Sequence, residues 1–326
     1  MTSICANNTD HPVVPRILLR GLAYHFDELR PIDEIEMLVQ SPDYLSSLKQ
    51  KGLRNFACSE MSLGQQAVVS ARKTLDAAGL TATDIDAVVI GTSEMPFFDR
   101  FPEVLGTEIL MGLGLRDLPV VGVTLAGCAN YASSLRVARN MLISEGLRNV
   151  LLIETNQVRG RTQRVSVSRF TGEANTVYAD GAASMIVSVY GAADLPGFTL
   201  ESMAQTVSPI DTHRVMMGDV WVNTVVAFRR VIDAALEQAH ASPADIHKLF
   251  YLNVNAPQSA ALAPVFGFEA ESLYAANMAR TAHVWSSDNL IGLSDYCATE
   301  QVSAGALFLL LCQGESYFSA IVCRRQ

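Results

Sequence analysis

The chain has 326 residues, of which 49% are hydrophobic and 17% charged, enough apolar material for a large buried core, which argues against a disordered protein. The formal net charge is −9, and the 24 Lys and Arg residues form no dense basic run, so we expect no nucleic-acid partner. The start of the chain shows no secretory signal, and no apolar run is long enough to span a bilayer. We therefore expect a cytoplasmic protein with no membrane contact.

Short apolar segments alternate with amphipathic stretches along the chain, a pattern typical of an α/β protein with much parallel strand pairing. The predicted strands lie at residues 87–91, 119–123, 150–154, 183–189, 249–253, 306–311 and 318–323. The predicted helices lie at residues 64–78, 128–145 and 220–240. Gly146 follows the second of these helices, and because glycine commonly ends a helix we expect this one to stop there.

An internal repeat relates the two halves of the chain, since residues 75–86 resemble residues 236–247. In both copies an amphipathic helix leads through a polar turn to an Asp-Ile pair and then into an apolar strand. The repeat predicts two similar α/β halves, residues 1–190 and 191–326, with a break near residues 191–197. A chance match is the alternative, because helix-turn-strand segments share their composition.

The cysteines show no Cys-x-x-Cys pair and no spacing typical of a zinc site or a disulfide framework. We therefore expect no bound metal and, in a reducing compartment, free thiols. Buried thiols are usually small core residues, and this is the expected role of all but one of them. The six are Cys5, Cys58, Cys128, Cys297, Cys312 and Cys323.

Cys128 is the exception because residues 120–132 run from an apolar strand through a Gly-Cys turn directly into a helix. At a helix N-terminus the unpaired backbone N–H groups and the helix dipole favour a thiolate, the reactive form of a nucleophilic cysteine. The small neighbours Gly127 and Ala129 leave room for an acyl thioester. The alternative is a buried structural cysteine in a strand-helix turn.

Six short motifs occur in a characteristic order along the chain. They are Gly91-Thr92-Ser93, Arg100-Phe101-Pro102, Gly127-Cys128, Tyr178-Ala179-Asp180-Gly181-Ala182-Ala183, Met217-Gly218-Asp219-Val220 and Gln313-Gly314-Glu315. Together they resemble the motifs of the β-ketoacyl-acyl-carrier-protein synthase III family, which is part of the thiolase superfamily. The resemblance extends over essentially the whole length of the chain.

This resemblance implies a thiolase fold of five layers, αβαβα, built from two similar halves, which agrees with the internal repeat. It also implies a homodimer in which the segment around Phe101 reaches toward the active site of the partner subunit. By analogy, the backbone N–H groups of Cys128 and Gly314 form an oxyanion hole. A tight glycine turn is what lets the second amide approach the thioester oxygen.

The sequence departs from the family at two of its catalytic positions. Condensing members combine Cys with His and Asn, which donate hydrogen bonds to a decarboxylating malonyl group. Residues 251–258 resemble the loop that carries the histidine but contain none, and Asn255 stands in the His slot. In the later loop, residues 282–289, His283 stands in the Asn slot.

With Asp288 five residues further on, His283 can instead act as a base whose tautomer is held by a carboxylate. A similar His-x-x-x-x-Asp arrangement occurs in a branch of the family that transfers acyl groups to heteroatom acceptors, so Cys128, His283 and Asp288 predict acyl transfer. The alternatives are a core histidine, an aspartate that braces the turn, or condensation with His283 and Asn255 as the two donors.

The donor segment also departs from the family. Members that take coenzyme A carry a Trp and an Arg that sandwich its adenine, and residues 42–54 lack the Trp and the first Arg. A carrier-protein thioester is therefore the expected donor, although Tyr44 offers a substitute stacking face for coenzyme A.

Three functions remain open at this level. The first is an acyltransferase of a natural-product or fatty-acid-like pathway that passes an acyl group through Cys128 to a small hydroxyl, amine or polyketide acceptor. The second is a ketosynthase that performs a decarboxylative condensation, and the third is a non-catalytic partner subunit. The expected partners are a second copy and an acyl carrier protein, and no cofactor is expected beyond the thioester substrate.

Overall fold

The computed structural model describes residues 15–93, 102–158, 164–166, 175–189, 195–209 and 217–326. The strands are β1 Ile17–His25, β2 Glu28–Pro31, β3 Asn55–Cys58, β4 Ala87–Gly91, β5 Val120–Val123, β6 Asn149–Asn156, β7 Gly181–Val189, β8 Phe198–Val207, β9 Ile246–Phe250, β10 Leu273–Tyr274, β11 Leu307–Gln313 and β12 Tyr317–Arg325. The helices are α1 Glu36–Val39, α2 Pro42–Gln50, α3 Leu63–Ala78, α4 Pro102–Leu113, α5 Asn130–Ser144, α6 Met217–Gln238, α7 Ala256–Val265, α8 Ala276–Thr281 and α9 Asp288–Thr299.

Every strand and helix predicted from the sequence is present, with shifted bounds at several ends. The largest shift is in β9, which was expected at residues 249–253 and instead ends at Phe250. The chain leaves the strand there because the Asn253 N–H donates to the Asp288 carboxylate at 2.7 Å rather than to a neighbouring strand. The second helix ends as expected, since Gly146 has a φ of 68°, a conformation that glycine adopts without strain.

The large sheet consists of two five-stranded parts with the same strand order. One runs β1-β7-β6-β4-β5 and the other β8-β12-β11-β9-β10, and they are joined by a short antiparallel pairing of β1 with β8. In each part the last two connections in that order are parallel, β6 with β4 and β4 with β5 in one, β11 with β9 and β9 with β10 in the other.

Helices cover these two parts in three layers. Helix α3 packs on β1, β6 and β7, and α6 packs on β8 and β12. Helices α5 and α9 contact strands of both parts and so lie between them. The order α3, sheet, α5 with α9, sheet, α6 is the expected five-layered αβαβα architecture, which confirms the predicted fold class.

The two copies of the internal repeat adopt the same local structure. Thr81 and Ser242 both have a φ of −113°, and each forms a reciprocal capping box with an Asp three residues later, after which β4 or β9 begins. The preceding helices end on left-handed residues, Gly79 with a φ of 63° and His240 with a φ of 52°. Of the predicted break at residues 191–197, residues 191–194 lie outside the described ones, and the division into two domains stays a prediction.

No helix in the described part of the chain combines the length and the apolar character that crossing a bilayer requires.

Candidate active site

Cys128 lies in a 3-10 turn that precedes α5 and is 3% exposed. Gly127 takes a φ of 55° at the start of this turn. The Asn130 side chain braces the turn, because its Oδ1 accepts from the Ala126 N–H at 3.0 Å and its Nδ2 donates to the Thr92 carbonyl at 2.6 Å. The sulfur is thus held just before a helix N-terminus, the position expected to favour a thiolate.

His283 faces this sulfur from the loop that follows α8. Its Nε2 lies 3.3 Å from the Cys128 Sγ, and its side chain is completely buried. The backbone of the loop is bound to the segment before β7, since the His283 N–H donates to the Val177 carbonyl at 3.0 Å and the Ala179 N–H donates to the His283 carbonyl at 2.9 Å. The Tyr178 to Ala183 motif therefore helps to position the histidine.

Asp288 completes the group at the first residue of α9. Its Oδ2 accepts from His283 Nδ1 at 2.5 Å and from the Asn253 N–H at 2.7 Å. Its Oδ1 accepts from the Val284 N–H at 2.7 Å and from Asn253 Nδ2 at 3.1 Å. Four donors around one carboxyl suit its ionised form. An ionised Asp288 keeps the proton of a neutral His283 on Nδ1, and Nε2 then faces Cys128 as an acceptor.

The structure thus brings together Cys128, His283 and Asp288, the three residues named from the sequence. The bond from Val284 also shows Asp288 bracing its turn, as the alternative interpretation expected, and this bond coexists with the one to His283. Asn253 was missed. Its only signal in the sequence is a polar residue just after a buried strand.

Asn255, the other candidate donor, caps the start of α7. Its Oδ1 accepts from the Gln258 N–H at 3.0 Å, and its Nδ2 donates to Gln258 Oε1 at 3.1 Å. These bonds direct the amide toward the first turn of α7, so they do not favour Asn255 as a donor to a malonyl group.

Gly314 packs against the turn that carries Cys128. A Cβ atom at Gly314 would lie 2.2 Å from the Ala126 carbonyl oxygen, so only glycine permits this approach. However, the Gly314 N–H donates to the Tyr317 carbonyl at 2.8 Å. This bond engages the N–H group that the resemblance assigns to the oxyanion hole. The role of Gly314 there stays a prediction, and it requires the N–H group to be shared.

Two aromatic rings lie beside the imidazole and were not singled out from the sequence. Tyr178 and Trp285 stack with their centroids 4.3 Å apart, and they lie 5.7 Å and 6.1 Å from the His283 ring. Trp285 has a φ of 52°, an unusual value for a non-glycine residue that often marks functional sites. It packs against the same core cluster as Cys128.

Other residues named from the sequence have different positions. Phe101 lies outside the described residues. Tyr44 lies on α2, where its hydroxyl donates to the Ser166 carbonyl at 3.2 Å.

Burial raises the pKa of Cys58 to about 11 and that of Cys312 to about 12, so both remain thiols in the core. Within the described ranges, no three His, Cys, Asp or Glu side chains form a metal-binding group.

Comparison with curated proteins gives several matches. The chain is similar to the β-ketoacyl-[acyl-carrier-protein] synthase III of Mycobacterium marinum, with 28% identity over 171 residues that cover 52% of this chain and 48% of that protein. Against the synthase of Mycobacterium avium the identity is 23% over 310 residues, which cover 89% and 90%. The chain spans about half the length of the first of these relatives. No family model matches it.

Solved structures resemble the chain over nearly its whole length. ChlB3, an acyltransferase, gives a TM-score of 0.79 with 15% identity, covering 95% of this chain and 98% of that one. OleA of Xanthomonas campestris gives 0.78 with 15% identity, covering 96% and 100%. These similar structures show that the chain has the thiolase fold. With the curated relatives, they confirm the resemblance seen in the sequence: the chain is a β-ketoacyl-acyl-carrier-protein synthase III-like protein.

Proposed function

We propose that the protein is an acyltransferase that carries an acyl group as a thioester on Cys128 and passes it to a hydroxyl, amine or polyketide acceptor. The proposal rests on the buried contacts that join Cys128, His283 and Asp288. Cys128 Sγ lies 3.3 Å from His283 Nε2, and His283 Nδ1 lies 2.5 Å from Asp288 Oδ2. This is the geometry of a nucleophile, a base and a residue that orients the base.

In the first half-reaction His283 Nε2 takes the proton of the Cys128 thiol, and the thiolate attacks the carbonyl carbon of the donor thioester. The bond from this carbon to the donor sulfur breaks, and the departing thiolate receives the proton from His283. Asp288 stabilises the imidazolium that forms in between. The products are acyl-Cys128 and the free thiol of the donor.

In the second half-reaction His283 accepts the proton of the acceptor O–H or N–H group while that atom attacks the acyl carbon. The bond to Cys128 Sγ breaks, and the sulfur recovers its proton from His283. The cycle consumes no cofactor, and the acyl thioester is its only activated reactant.

The hydrogen bonds of His283 and Asn255 favour acyl transfer over condensation. Decarboxylation of a malonyl group calls for two donors to its thioester carbonyl, whereas His283 is paired with Asp288 as a base and Asn255 is bound to Gln258. ChlB3, one of the similar structures, is named an acyltransferase. The synthases among the relatives keep decarboxylative condensation as the second candidate function.

A carrier protein is the proposed donor, because the α2 segment lacks the Trp and the first Arg that would sandwich the adenine of coenzyme A. We also propose a homodimer. β5 is an edge strand of the large sheet, and Val120 on it is 37% exposed, as is Val104 on the neighbouring α4. An open apolar edge of this kind is commonly covered by a second chain.

The discriminating experiment incubates the purified protein with acyl-carrier and malonyl-carrier thioesters and follows carbon dioxide release together with the intact mass of the protein. Acyl transfer predicts an acyl adduct on Cys128 without carbon dioxide release. Rapid decarboxylation of the malonyl donor would favour condensation instead. Turnover by Cys128→Ala would exclude both mechanisms, and a wild-type protein inert to both donors would leave the non-catalytic subunit.

A further inference from the structure

Glu154 is a fully buried carboxyl group near the end of β6 that the proposed mechanism does not use. Its Oε2 accepts from the Ser286 hydroxyl at 2.6 Å, whereas its Oε1 has no hydrogen-bond partner among the described residues. Burial raises the pKa of Glu154 to about 7, because the charged form loses its hydration. Because burial of a carboxyl group removes its hydration and is unfavourable, its presence in the core calls for an explanation.

The fold leaves space for this carboxyl. Gly91 of β4 is paired with Glu154 across the sheet, and a Cβ atom at Gly91 would lie 2.0 Å from Glu154 Oε1. A side chain at residue 91 and the observed Glu154 conformation therefore exclude each other. The glycine at the end of β4 accommodates the acid.

Two serines connect Glu154 to the histidine loop. Ser286 binds its carboxyl group, and the Ser287 hydroxyl donates to its backbone carbonyl at 3.2 Å. Both serines lie in the 3-10 turn between His283 and Asp288. Glu154 thus anchors the segment that sets the spacing between the base and its orienting carboxylate.

The same cluster reaches the turn that carries the nucleophile. Asn156 Nδ2 donates to the Ser286 hydroxyl at 3.2 Å, and Asn156 Oδ1 accepts from the Ser93 N–H at 2.8 Å. The Ser93 hydroxyl lies 3.4 Å from that of Ser286 and donates to the Gly127 carbonyl at 3.0 Å. Gly127 directly precedes Cys128, so a short chain of polar contacts joins Glu154 to both sides of the reacting pair.

We propose that Glu154 is a positioning residue that holds the turn at Ser286 against the turn at Gly127 and thereby sets the distance between Cys128 Sγ and His283 Nε2. The inference rests on the proposed function for its catalytic meaning. Its physical content, the reactivity of the Cys128 thiol, is measurable without any acyl donor.

The test measures the rate at which iodoacetamide alkylates Cys128, followed by mass spectrometry of the peptide that contains it, over a pH series. The variants are Glu154→Ala, Glu154→Gln and Ser286→Ala. The matched control is Thr74→Val, which removes a buried hydrogen bond from Thr74 Oγ1 to the Ser184 carbonyl in the outer layer. Thermal melting reports whether each variant is folded.

We expect Glu154→Ala and Ser286→Ala to slow alkylation of Cys128 about tenfold, because a small displacement of a reacting pair is costly. Glu154→Gln keeps an oxygen that accepts from the Ser286 hydroxyl, so we expect it to retain most of the wild-type alkylation rate. We expect the pH profile of that rate to change in the range where Glu154 ionises. The groups around the carboxyl are uncharged at neutral pH, namely Ser134, Ser286, Tyr131 and Cys312. Thr74→Val lowers the melting temperature and leaves the rate and its pH profile unchanged.

Wild-type rates in folded Ser286→Ala and Glu154→Ala would overturn the proposal, as would an equal loss in Thr74→Val. If Glu154→Ala does not fold, Ser286→Ala and Glu154→Gln still decide the outcome. Slow alkylation in the variants of a wild-type protein that never accepts an acyl group would support the positioning role while refuting the proposed function.

Discussion

At the scale of single residues, the reactivity of the site depends on how Asp288 is held. Two of its hydrogen bonds come from Asn253, which lies 35 residues earlier in the chain, and a third comes from the backbone of its own loop. These bonds leave the carboxylate little freedom to rotate. It therefore presents one oxygen to His283 Nδ1 and keeps the imidazole oriented toward Cys128.

Replacement of the Asp288 carboxylate tests the role of the His283–Asp288 pair directly. Asp288→Asn retains the size of the side chain but removes the negative charge, so we expect the rate of Cys128 acylation to fall on the order of 1000-fold or more. The rate is measured by quenched-flow mass spectrometry with an acyl-carrier donor. The control is Asp295→Asn, which changes a carboxylate bound to Tyr24 and Arg280 instead. An Asp288→Asn variant within tenfold of wild type would contradict the account.

Glu154 makes a prediction about stability as well as reactivity. Its pKa is raised from 4.5 to about 7 in the folded protein, so folding favours the protonated form. The contribution of protonated Glu154 to the free energy of unfolding is fully present below pH 4.5, the pKa of Glu154 in the unfolded chain. It is lost as the pH rises through about 7, the pKa in the folded protein. We expect the free energy of unfolding of Glu154→Gln, relative to wild type, to rise by on the order of 3 kcal/mol across this range.

Denaturant unfolding of both proteins at pH values below and above this range measures the difference. Other titrating groups are common to both proteins and cancel in the comparison. An equal dependence on pH in wild type and Glu154→Gln would show that Glu154 does not titrate in this range.

At the scale of secondary-structure elements, the turn between β11 and β12 supports the turn before α5. Gly314→Ala places a Cβ atom against the Ala126 carbonyl, a backbone atom that cannot move independently, so we expect a loss of about 1–3 kcal/mol in the free energy of unfolding. Cys128 acylation slows in the same variant. Gly106→Ala in α4 is the control, since its Cβ atom would meet no atom of the described residues within 4 Å apart from the backbone of its own helix. Equal stability of the two variants by chemical denaturation would contradict this packing.

The elements that the sequence predicted are those with a strong local pattern. Strands such as β6 contain a continuous run of buried hydrophobic residues, here residues 150–153. In contrast, β8 mixes buried and half-buried positions that include polar residues, and it was not predicted. Likewise, His283 and Asp288 could be found because residues 282–289 resemble a loop of the family and hold the two residues five positions apart. Ser286 binds Glu154 across 132 residues of chain, and no local pattern contains a contact of that range.

At the scale of the whole molecule, the site is formed where the two parts of the large sheet meet. Cys128 lies before α5, which contacts both parts. His283 lies in the loop before α9, and Asp288 is the first residue of α9, which also contacts both parts. The two parts share one strand order, and α5 and α9 lie between them, as the predicted internal repeat would require. The catalytic candidates then come from different regions of the chain.

The proposed homodimer is tested at the open edge of the sheet. Val120→Lys places a charge on β5, and we expect it to convert the dimer to a monomer, because lysine on an edge strand opposes pairing with a second chain. Light scattering after size-exclusion chromatography measures the mass. Val222→Lys changes a valine of α6 that is 60% exposed and is expected to leave the dimer intact. A Val120→Lys protein with the mass of the wild-type dimer would place the interface elsewhere.

The most direct test of the central claim is the intact mass of the protein after incubation with an acyl-carrier thioester. The account predicts a mass increase equal to one acyl group, located on Cys128 by peptide mapping, absent from Cys128→Ala and formed much more slowly in His283→Ala. An acyl group on a different residue, or an adduct that forms at the wild-type rate without His283, would contradict it.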